Sequence, residues 1–283
     1  ETLDYLIRDM RDANGGFYTA QDADSQDGEG TFYLWSKSEI VSLLGKDEGN
    51  LVSTYFGVTD EGNFEGKNIL SVSEPLEKLA EQNQWSQERF EETVTQGKIV
   101  MHATRRNRMW PSRDEKILTG WNGLILSSLA EAGAVFQRPD YLKVATETAE
   151  FLVTALRPNG RLHRSFKDGK ANLIAYLEDY ALLIDGLICL YEAGFDEKWL
   201  KMADVLAREM IDFFWDPNLN TFFDTAWDHE ELIVRPRDLL DNAMPCGSSA
   251  AVIALARLSI LSGNTEYYDF AVQALCSVQN LVD

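Results

Sequence analysis

The sequence predicts an all-α protein, specifically an (α/α) toroid of helical hairpins, and three observations support this prediction. Two stretches are nearly copies of each other, LAEAG followed by YLKVA and LYEAG followed by WLKMA, and a weaker copy lies at 257–271. The alanines that end the copies, Ala145, Ala203 and Ala271, are 58 and 68 residues apart, which accommodates two helices and two connections. One helix of each pair is apolar nearly all round, which favours a ring of enclosed helices over an open solenoid.

Apolar periodicity places three helix pairs along the chain. The inner helices are predicted at 116–133, 177–194 and 246–263, each ending at a glycine suited to the left-handed position after a helix. Their partners, predicted at 139–156, 197–214 and 265–281, are amphipathic and therefore face solvent. Turn sequences rich in Asn and Gly precede the inner helices, at 159–163 and 218–223, and predict short β-hairpin connections.

We expect one toroid domain over residues 1–283, with a decorated hairpin and insert at 13–110. The chain begins without Met and within a helical pattern, and about nine helices are predicted where a ring of six hairpins needs twelve. The expectation is therefore an incomplete ring that is part of a longer chain. Apolar surface left by absent hairpins predicts self-association of the truncated chain.

Composition narrows the classes of partner. The net charge is −20 and hydrophobic residues make up 45% of the chain, so we expect a buried core and no nucleic-acid or anionic-membrane partner. Three cysteines without ligand spacing predict neither a disulfide framework nor a metal site, and no cofactor motif is present. With no signal peptide, these features predict a cytoplasmic protein.

Four carboxylates are the candidate catalytic residues. The repeats bring the starts of the inner helices to one mouth, where unpaired N–H groups make a polar pocket above apolar helices. Acid/base chemistry on a sugar commonly uses two carboxyl groups roughly 5 to 9.5 Å apart, and two acidic pairs start neighbouring helices. The pairs are Asp114 with Glu115 and Glu178 with Asp179. The alternative is that these acids favour the helix dipole and that Ser112 and Glu115 form a capping box.

Aromatic and amide side chains near the same mouth are candidate sugar-binding residues. Trp121, Asn122 and Tyr180 offer an aromatic face and hydrogen-bonding groups, as a carbohydrate requires. The alternative is that Trp121 packs between helices and Asn122 cross-links backbone.

The acidic loop at 21–29 contributes two further candidates, Asp22 and Asp24. The loop departs from a calcium-binding EF-hand because Asp27 stands where glycine is required and Tyr33 stands where glutamate is required. Asp22 and Asp24 either reach the mouth or form a solvated turn.

Five ordered blocks of the sequence resemble the thioredoxin-domain-containing, spermatogenesis-associated proteins and their bacterial relatives. The blocks are GGFYTAQDADS at 15–25, GNFEGKNIL at 62–70, DEKILTGWNG at 114–123, LEDY at 177–180 and PCGSS at 245–249. The resemblance implies a six-hairpin toroid similar to glycosidases and to N-acylglucosamine 2-epimerases, preceded in the full-length protein by a thioredoxin-like domain. Glu115 is a conservative departure from the pattern of that family. Cys246 and Ser248 also depart from it, which weakens catalytic roles for those two side chains.

Two functions compete at this point. The first is a carbohydrate-processing or sugar-binding toroid with hydrolase-like or epimerase-like acid/base chemistry at the inner-helix starts. The second is a non-catalytic scaffold that binds a peptide or protein and works with a thioredoxin-like domain. The scaffold predicts a broad apolar groove and no binding of sugars.

Overall fold

The computed structural model describes residues 1–25, 28–72 and 74–279, so Asp27 and the end of the helix predicted at 265–281 lie outside the described residues. Contacts divide the chain into two compact units. The hairpin unit comprises Glu1–Ala20 and Glu115–Asp283, and the insert unit comprises Gln21–Asp114. Across the described ranges, no helix is both long enough and apolar enough to span a membrane.

Helices dominate the described residues. They are α1 (Thr2–Tyr5), which continues as a π-helical turn (Leu6–Met10), α2 (Lys37–Leu44), α3 (Lys46–Tyr55), α4 (Leu76–Gln82), α5 (Gln87–Arg105), α6 (Thr119–Val135), α7 (Pro139–Ala155), α8 (Leu177–Gly194), α9 (Glu197–Phe214), α10 (Gly247–Ser262) and α11 (Thr265–Val278). The short strands are β1 (Ala20–Gln21), β2 (Asp24–Ser25), β3 (Gly28–Glu29), β4 (Arg113–Asp114), β5 (Ile117–Leu118), β6 (His163–Lys167), β7 (Lys170–Ile174), β8 (Trp215–Asp216) and β9 (Thr221–Phe222).

Three helical hairpins, α6–α7, α8–α9 and α10–α11, build the hairpin unit, which confirms the predicted all-α class of paired helices. The inner helix α8 packs against both α6 and α10. It is buried nearly all round, whereas its partner α9 buries only one stripe, which includes Trp199, Leu206 and Phe214. The enclosed and solvent-facing members of this hairpin therefore differ as their sequences predict, whereas the inner helix α10 leaves Ile253 and Ile260 exposed.

Close backbone contact between α6 and α8 requires glycine. A Cβ atom on Gly123 would lie 2.6 Å from the carbonyl carbon and oxygen of Leu182, and one on Gly186 would lie 2.7 Å from the carbonyl oxygen of Gly123. At the next interface, a Cβ atom on Gly247 would lie 3.1 Å from the amide nitrogen of Glu178. These glycines bring the inner-helix backbones into contact and hold the three helix starts close together.

The glycines at the ends of the inner helices do not share one role. Gly263 has φ +73° and takes the predicted left-handed position after α10. After α8 that position belongs to Phe195, and Gly194 is the last helical residue. Gly133 lies inside α6, where a Cβ atom would meet the Leu142 side chain at 2.7 Å. The prediction of a left-handed glycine is therefore right at Gly263 and wrong at Gly133 and Gly194. At Gly133 the reason for a glycine is the close packing of α7 against α6.

The start of α6 also differs from the prediction. It begins at Thr119, not at residue 116, because β5 pairs with β6 in the connection between α7 and α8, with Ile117 opposite Phe166. Ser112 and Glu115 therefore precede the helix and form no capping box. The first-turn N–H of Gly120 donates instead to Oδ1 of Asp179 at 2.9 Å.

Asp179 connects the starts of two inner helices from a buried position. Its Oδ2 accepts hydrogen bonds from the Tyr176 N–H at 3.0 Å and from Nη1 of Arg164 at 3.3 Å. Burial raises the pKa of the Asp179 carboxyl to about 6, although the Arg164 charge and the two backbone donors lower it. One buried carboxylate thus caps α6 and α8 together.

β5, β6 and β7 form a three-stranded sheet in that order. β5 directly precedes α6, and β6 and β7 connect α7 to α8. β6 and β7 are joined by a tight turn in which Asp168 and Gly169 both have positive φ, as a two-residue hairpin turn requires. Phe166 packs edge-to-face on Phe151 of α7, at a ring-centroid distance of 5.2 Å. The sheet is therefore fixed against the hairpin that precedes it.

The insert unit has its own apolar clusters, one around Trp35, Ile40 and Val52 and another around Phe90. Arg108 holds backbone in this unit. Its Nη1 donates to the carbonyls of Phe32 and Leu34, and its guanidinium lies 4.0 Å from the Trp35 ring centroid. This arginine is thus occupied within the unit.

We expect Gly123→Ala to destabilise the hairpin unit by about 1 to 3 kcal/mol, because the added methyl group meets the α8 backbone and cannot be relieved by a rotamer change. The measurement is the urea midpoint followed by far-ultraviolet circular dichroism. Gly194→Ala is the matched control, since a Cβ atom there meets nothing within 4 Å. Equal midpoints for the two variants would contradict the close packing of α6 on α8.

The raised pKa of Asp179 predicts a pH dependence of stability. The folded protein binds this proton more tightly than the unfolded chain, so the carboxyl's contribution to the free energy of unfolding decreases as pH rises from about 4 to about 6 and is constant above. Asp179→Asn lacks this titration. The free energy of unfolding of the unsubstituted protein minus that of the variant should therefore decrease over this pH interval. Denaturant titration at several pH values measures this difference. A difference that grows with pH would contradict the assignment.

Candidate functional site

A cavity of about 420 Å³ lies within the hairpin unit at the starts of α8 and α10. It is lined by charged, aromatic and small residues, namely Arg164, Tyr176, Glu178, Asp224, Asp238, Cys246 and Gly247. Four of these side chains carry a formal charge, and they come from one strand, one helix and one long loop. The cavity is thus a polar site assembled from segments that are distant in sequence.

Arg164 enters the site from β6. Its Nη1 donates to Oε1 of Glu178 at 2.7 Å, and the guanidinium carbon lies 4.8 Å from the Tyr176 ring centroid. Because the same nitrogen also reaches Asp179, a buried carboxylate behind the cavity helps to orient the arginine that pairs with Glu178. Glu178 lies in the first turn of α8 and is partly exposed to the cavity.

The segment at 223–246 supplies two further carboxylates. It connects β9 to α10 and contains neither helix nor strand. The backbone N–H of Asp238 donates to Oδ2 of Asp224 at 2.8 Å, and the carbonyl of Asp224 accepts from the N–H of Leu177 at 3.0 Å. These bonds attach the loop to the start of α8. Segments of this length without regular structure are uncommon in compact units and are usually either functional or linker-like.

The environment of Asp224 favours its protonated form. Burial raises the pKa of this carboxyl, and the like charges of Asp238 and Glu178 raise it further. The hydrogen bond from the Asp238 backbone and the Arg237 charge act in the opposite direction. Asp224 and Glu178 therefore share one cavity in unlike surroundings, since Glu178 is ion-paired with Arg164.

Cys246 caps the start of α10. Its Sγ accepts from the N–H of Ser249 at 3.4 Å, and its own N–H donates to Oδ1 of Asp241 at 2.9 Å. The thiol lines the cavity while it satisfies a backbone donor of the first helical turn.

Of the four predicted catalytic carboxylates, Glu178 alone is among the residues lining the cavity. Asp179 is buried and bonded to backbone, as described above. Glu115 is exposed and belongs to the hairpin unit, whereas Asp114 lies in β4 of the insert unit. Catalytic roles for these residues stay predictions.

The predicted sugar-binding residues have different surroundings. Asn122 is buried, where its side chain accepts from the Phe17 N–H at 2.7 Å and donates to the Phe17 carbonyl at 3.0 Å, the bonding expected of a backbone cross-link. Tyr180 is buried in the core against Phe214. Trp121 is 38% exposed in the first turn of α6.

Asp22 and Asp24 are exposed and belong to the insert unit. The Asp22 carboxylate accepts from the Ser112 hydroxyl at 3.2 Å and from the Asp24 N–H at 3.1 Å, so it closes a local turn. Their roles in binding substrate stay predictions.

Sequence reasoning missed Arg164, Asp224 and Asp238. Arg164 and Asp224 directly follow the turn sequences at 159–163 and 218–223, which the repeat register directs toward the inner-helix starts. Their positions after equivalent turns were the signal that could have identified them. Asp238 carries no comparable local signal.

Among residues 1–25, 28–72 and 74–279, no group of three or more His, Cys, Asp or Glu side chains is arranged to hold a metal ion.

Comparisons with known proteins give sequence relatives and structural neighbours. No family model matches the chain. A cellobiose 2-epimerase from Bacillus thermoamylovorans superposes with a TM-score of 0.48 at 10% identity, covering 98% of this chain and 69% of that structure.

Two sequence relatives are matched over most of the chain. Human spermatogenesis-associated protein 20 is 30% identical over 95% of this chain and 39% of its own length. A Caenorhabditis elegans protein described as uncharacterized is 32% identical over 92% of this chain and 40% of its own length. The chain thus spans about two fifths of the length of the relatives that it matches. It is a distant homologue of spermatogenesis-associated protein 20.

Proposed function

We propose that the hairpin unit binds a carbohydrate in the cavity at the starts of α8 and α10 and performs acid/base chemistry on it. The observation that carries this proposal is the pair formed by Glu178 and Asp224, two carboxyl groups in one cavity whose surroundings differ. A site obtains an acid and a base at the same pH when its titratable groups lie in different environments.

Asp224 is the acid in this proposal. Its raised pKa retains a proton to higher pH than an ordinary aspartic acid does, so it can protonate a departing or ring oxygen. Glu178 carries its charge in an ion pair with Arg164 and accepts a proton from water or from a sugar carbon. A hydrolase and an epimerase both require this division of roles.

The remaining lining residues suit a sugar. Tyr176 presents an aromatic ring, which packs against the apolar face of a pyranose, and the carboxylates accept hydrogen bonds from hydroxyl groups. Asp179 has a positioning role in this scheme, because it orients Arg164 and both helix starts without lining the cavity.

Removing either carboxylate should lower the turnover rate far more than it weakens sugar binding. A disaccharide screen by ligand-observed nuclear magnetic resonance identifies a bound sugar, and its conversion is then followed by chromatography. Glu178→Gln and Asp224→Asn should each lower kcat by about 10² to 10⁴-fold, the usual contribution of an acid or base. Glu266→Gln on the exposed face of α11 is the matched control and should retain full activity. Unchanged kcat in both cavity variants would reject the acid/base proposal.

The pH profile of turnover gives a separate test. Activity should fall as pH rises through the raised pKa of Asp224, because the acid loses its proton. Asp224→Asn should remove this alkaline limb from the residual activity. A limb that persists in the variant would assign the acid role to another group.

A peptide-binding scaffold is the second candidate, and one observation favours it. The 223–246 segment exposes large apolar side chains, with Ile233 105%, Val234 77% and Leu240 79% exposed. Under this proposal the segment binds an extended apolar peptide, and a thioredoxin-like domain is the partner implied by the family resemblance.

The scaffold proposal predicts a different response to substitution. Changing Ile233 and Val234 together to serine should weaken peptide binding at least tenfold on a peptide array, because apolar contact area is lost. The carbohydrate proposal expects this double variant to keep its sugar affinity. Phe136→Ser is the control for general loss of exposed apolar surface, since Phe136 lies at the opposite end of its hairpin from the cavity.

A further inference from the structure

We propose that the C-terminal half of α5, in the insert unit, is a docking face for an acidic amphipathic helix of a partner protein. This inference is independent of the cavity at the starts of α8 and α10. It is carried by an open groove along one side of α5, by exposed apolar side chains in and beside that groove, and by a local excess of positive charge in a strongly acidic protein.

The positive charge around the end of α5 is unusual for this chain. Residues 93–113 contain no Asp or Glu, whereas the whole sequence has 46 acidic residues against 26 Lys and Arg. Five of the basic residues fall in this segment, namely Lys98, Arg105, Arg106, Arg108 and Arg113. The helix dipole favours cations in the last turn only, and Lys98 lies about two turns before the end of α5. The dipole therefore does not explain the whole stretch.

The groove has the geometry of a knob-into-hole contact between helices. It has a volume of about 720 Å³ and is lined by Lys98, Ile99, His102, Ala103, Arg106 and Asn107. Within this set, residues 99, 102, 103 and 106 stand at positions i, i+3, i+4 and i+7 of α5, which together enclose a hole for one side chain of a facing helix. The small side chain of Ala103 leaves this hole open.

The insert unit does not bury the apolar side chains of this face. α5 packs on the rest of the unit through a separate stripe of buried residues, namely Phe90, Val94, Gly97 and Met101. Ile99 lies about 200° around the helix from Gly97 and is 57% exposed. Trp110 is 39% exposed, and its indole N–H donates to the Arg106 carbonyl at 3.2 Å, so the ring lies beside a residue of the groove. Exposed apolar groups between cations are typical of a binding surface.

Two cations of the groove are available to a ligand carboxylate. Lys98 lies 5.5 Å from the Tyr55 ring centroid, and no ion pair joins Lys98 or Arg106 to an acidic side chain among residues 1–25, 28–72 and 74–279. Arg108 differs, because it donates to backbone carbonyls inside the unit. Lys98 and Arg106 can therefore each pair with a carboxylate without breaking an existing ion pair.

Charge and apolar surface together select the partner. Carboxylates of an acidic helix pair with Lys98 and Arg106, while a leucine of its apolar stripe enters the hole over Ala103. A nucleic acid or a sulfated glycan has the charge but no aliphatic side chain to pack on Ile99. The net charge of −20 also repels a long polyanion more strongly than a short acidic peptide.

The test uses three fluorescein-labelled, alanine-rich peptides of about 20 residues, a length that supports a helix. The first carries a leucine stripe flanked by glutamates, the second has glutamine for leucine and the third has glutamine for glutamate. Fluorescence anisotropy with the whole chain should show the first peptide binding at least roughly tenfold tighter than the others, because it alone offers both charge and knob. No binding of the first peptide, or equal affinity for all three, would overturn the proposal.

Removing the two available cations tests the charge. Lys98→Gln combined with Arg106→Gln should weaken binding of the acidic leucine peptide roughly tenfold. Lys46→Gln combined with Arg89→Gln removes the same charge from exposed positions of the insert unit outside the groove and should leave the affinity unchanged. An equal loss in both double variants would assign binding to the net charge of the protein and overturn the proposal.

Removing the apolar contact is the complementary test. Ile99→Ser should weaken the same peptide roughly tenfold, because the leucine loses apolar area against which it packs. Ile69→Ser is the matched control, since Ile69 is 51% exposed in the same unit and does not line the groove. All variants should keep the urea midpoint of the unsubstituted protein, because the substituted side chains are exposed. An affinity loss that is equal for the two serine variants would contradict docking in the groove.

Two other occupants of the face give distinct results. If the face joins two copies of this chain, light scattering shows a dimer that the Lys98→Gln and Arg106→Gln variant dissociates. If it binds a polyanion, a heparin fragment or a single-stranded oligonucleotide binds more tightly than the acidic leucine peptide. Either result would assign the face to that occupant and overturn the proposal.

Discussion

The buried carboxylate of Asp179 is the interaction on which the rest of the hairpin unit's mouth depends. A charge removed from water must be satisfied by several partners, and here the partners are the N–H groups of Gly120 and Tyr176 and the guanidinium of Arg164. Each partner belongs to a different element. Satisfying one charge therefore fixes the start of α6, the start of α8 and the strand that carries Arg164.

Helix geometry explains why two neighbouring acids have unlike surroundings. Successive residues of an α-helix point about 100° apart, so Glu178 faces the cavity while Asp179 faces the interior between α6 and α8. The glycine contacts between the inner helices preserve this arrangement because they leave little room for rotation. Arg164 donates to both carboxylates. The packing that positions Asp179 therefore also positions the ion pair of Arg164 and Glu178 at the cavity.

The cavity also depends on a loop that regular structure does not constrain. The Asp238 N–H donates to the Asp224 carboxylate, and the Asp224 carbonyl accepts from the N–H of Leu177 at the start of α8. Catalytic and binding residues commonly lie on loops that a rigid scaffold positions. In this protein the inner helices are the scaffold, and the loop completes the site with two of its three acids.

The chain by itself determined the elements whose signals are local. The bounds of α8 and α9 match the prediction because apolar periodicity within a helix needs no distant partner, and the same holds for the left-handed glycine after α10. The repeated pattern places Glu178 at one end of the hairpins, where it lines the cavity, and its catalytic role stays a prediction. Asn122 was ambiguous, since an amide suits a ligand and a backbone cross-link equally well.

Tertiary structure alone decided where α6 starts, that Asp179 is buried and which residues line the cavity. Pairing of β5 with β6 joins residues almost 50 positions apart and outweighs a local capping pattern. Asp224 and Asp238 meet Glu178 only after the loop closes onto α8. Sequence patterns report contacts of near neighbours, whereas burial and electrostatic environment are set by groups that folding brings from elsewhere, which is why the helices were predictable and the charge of the site was not.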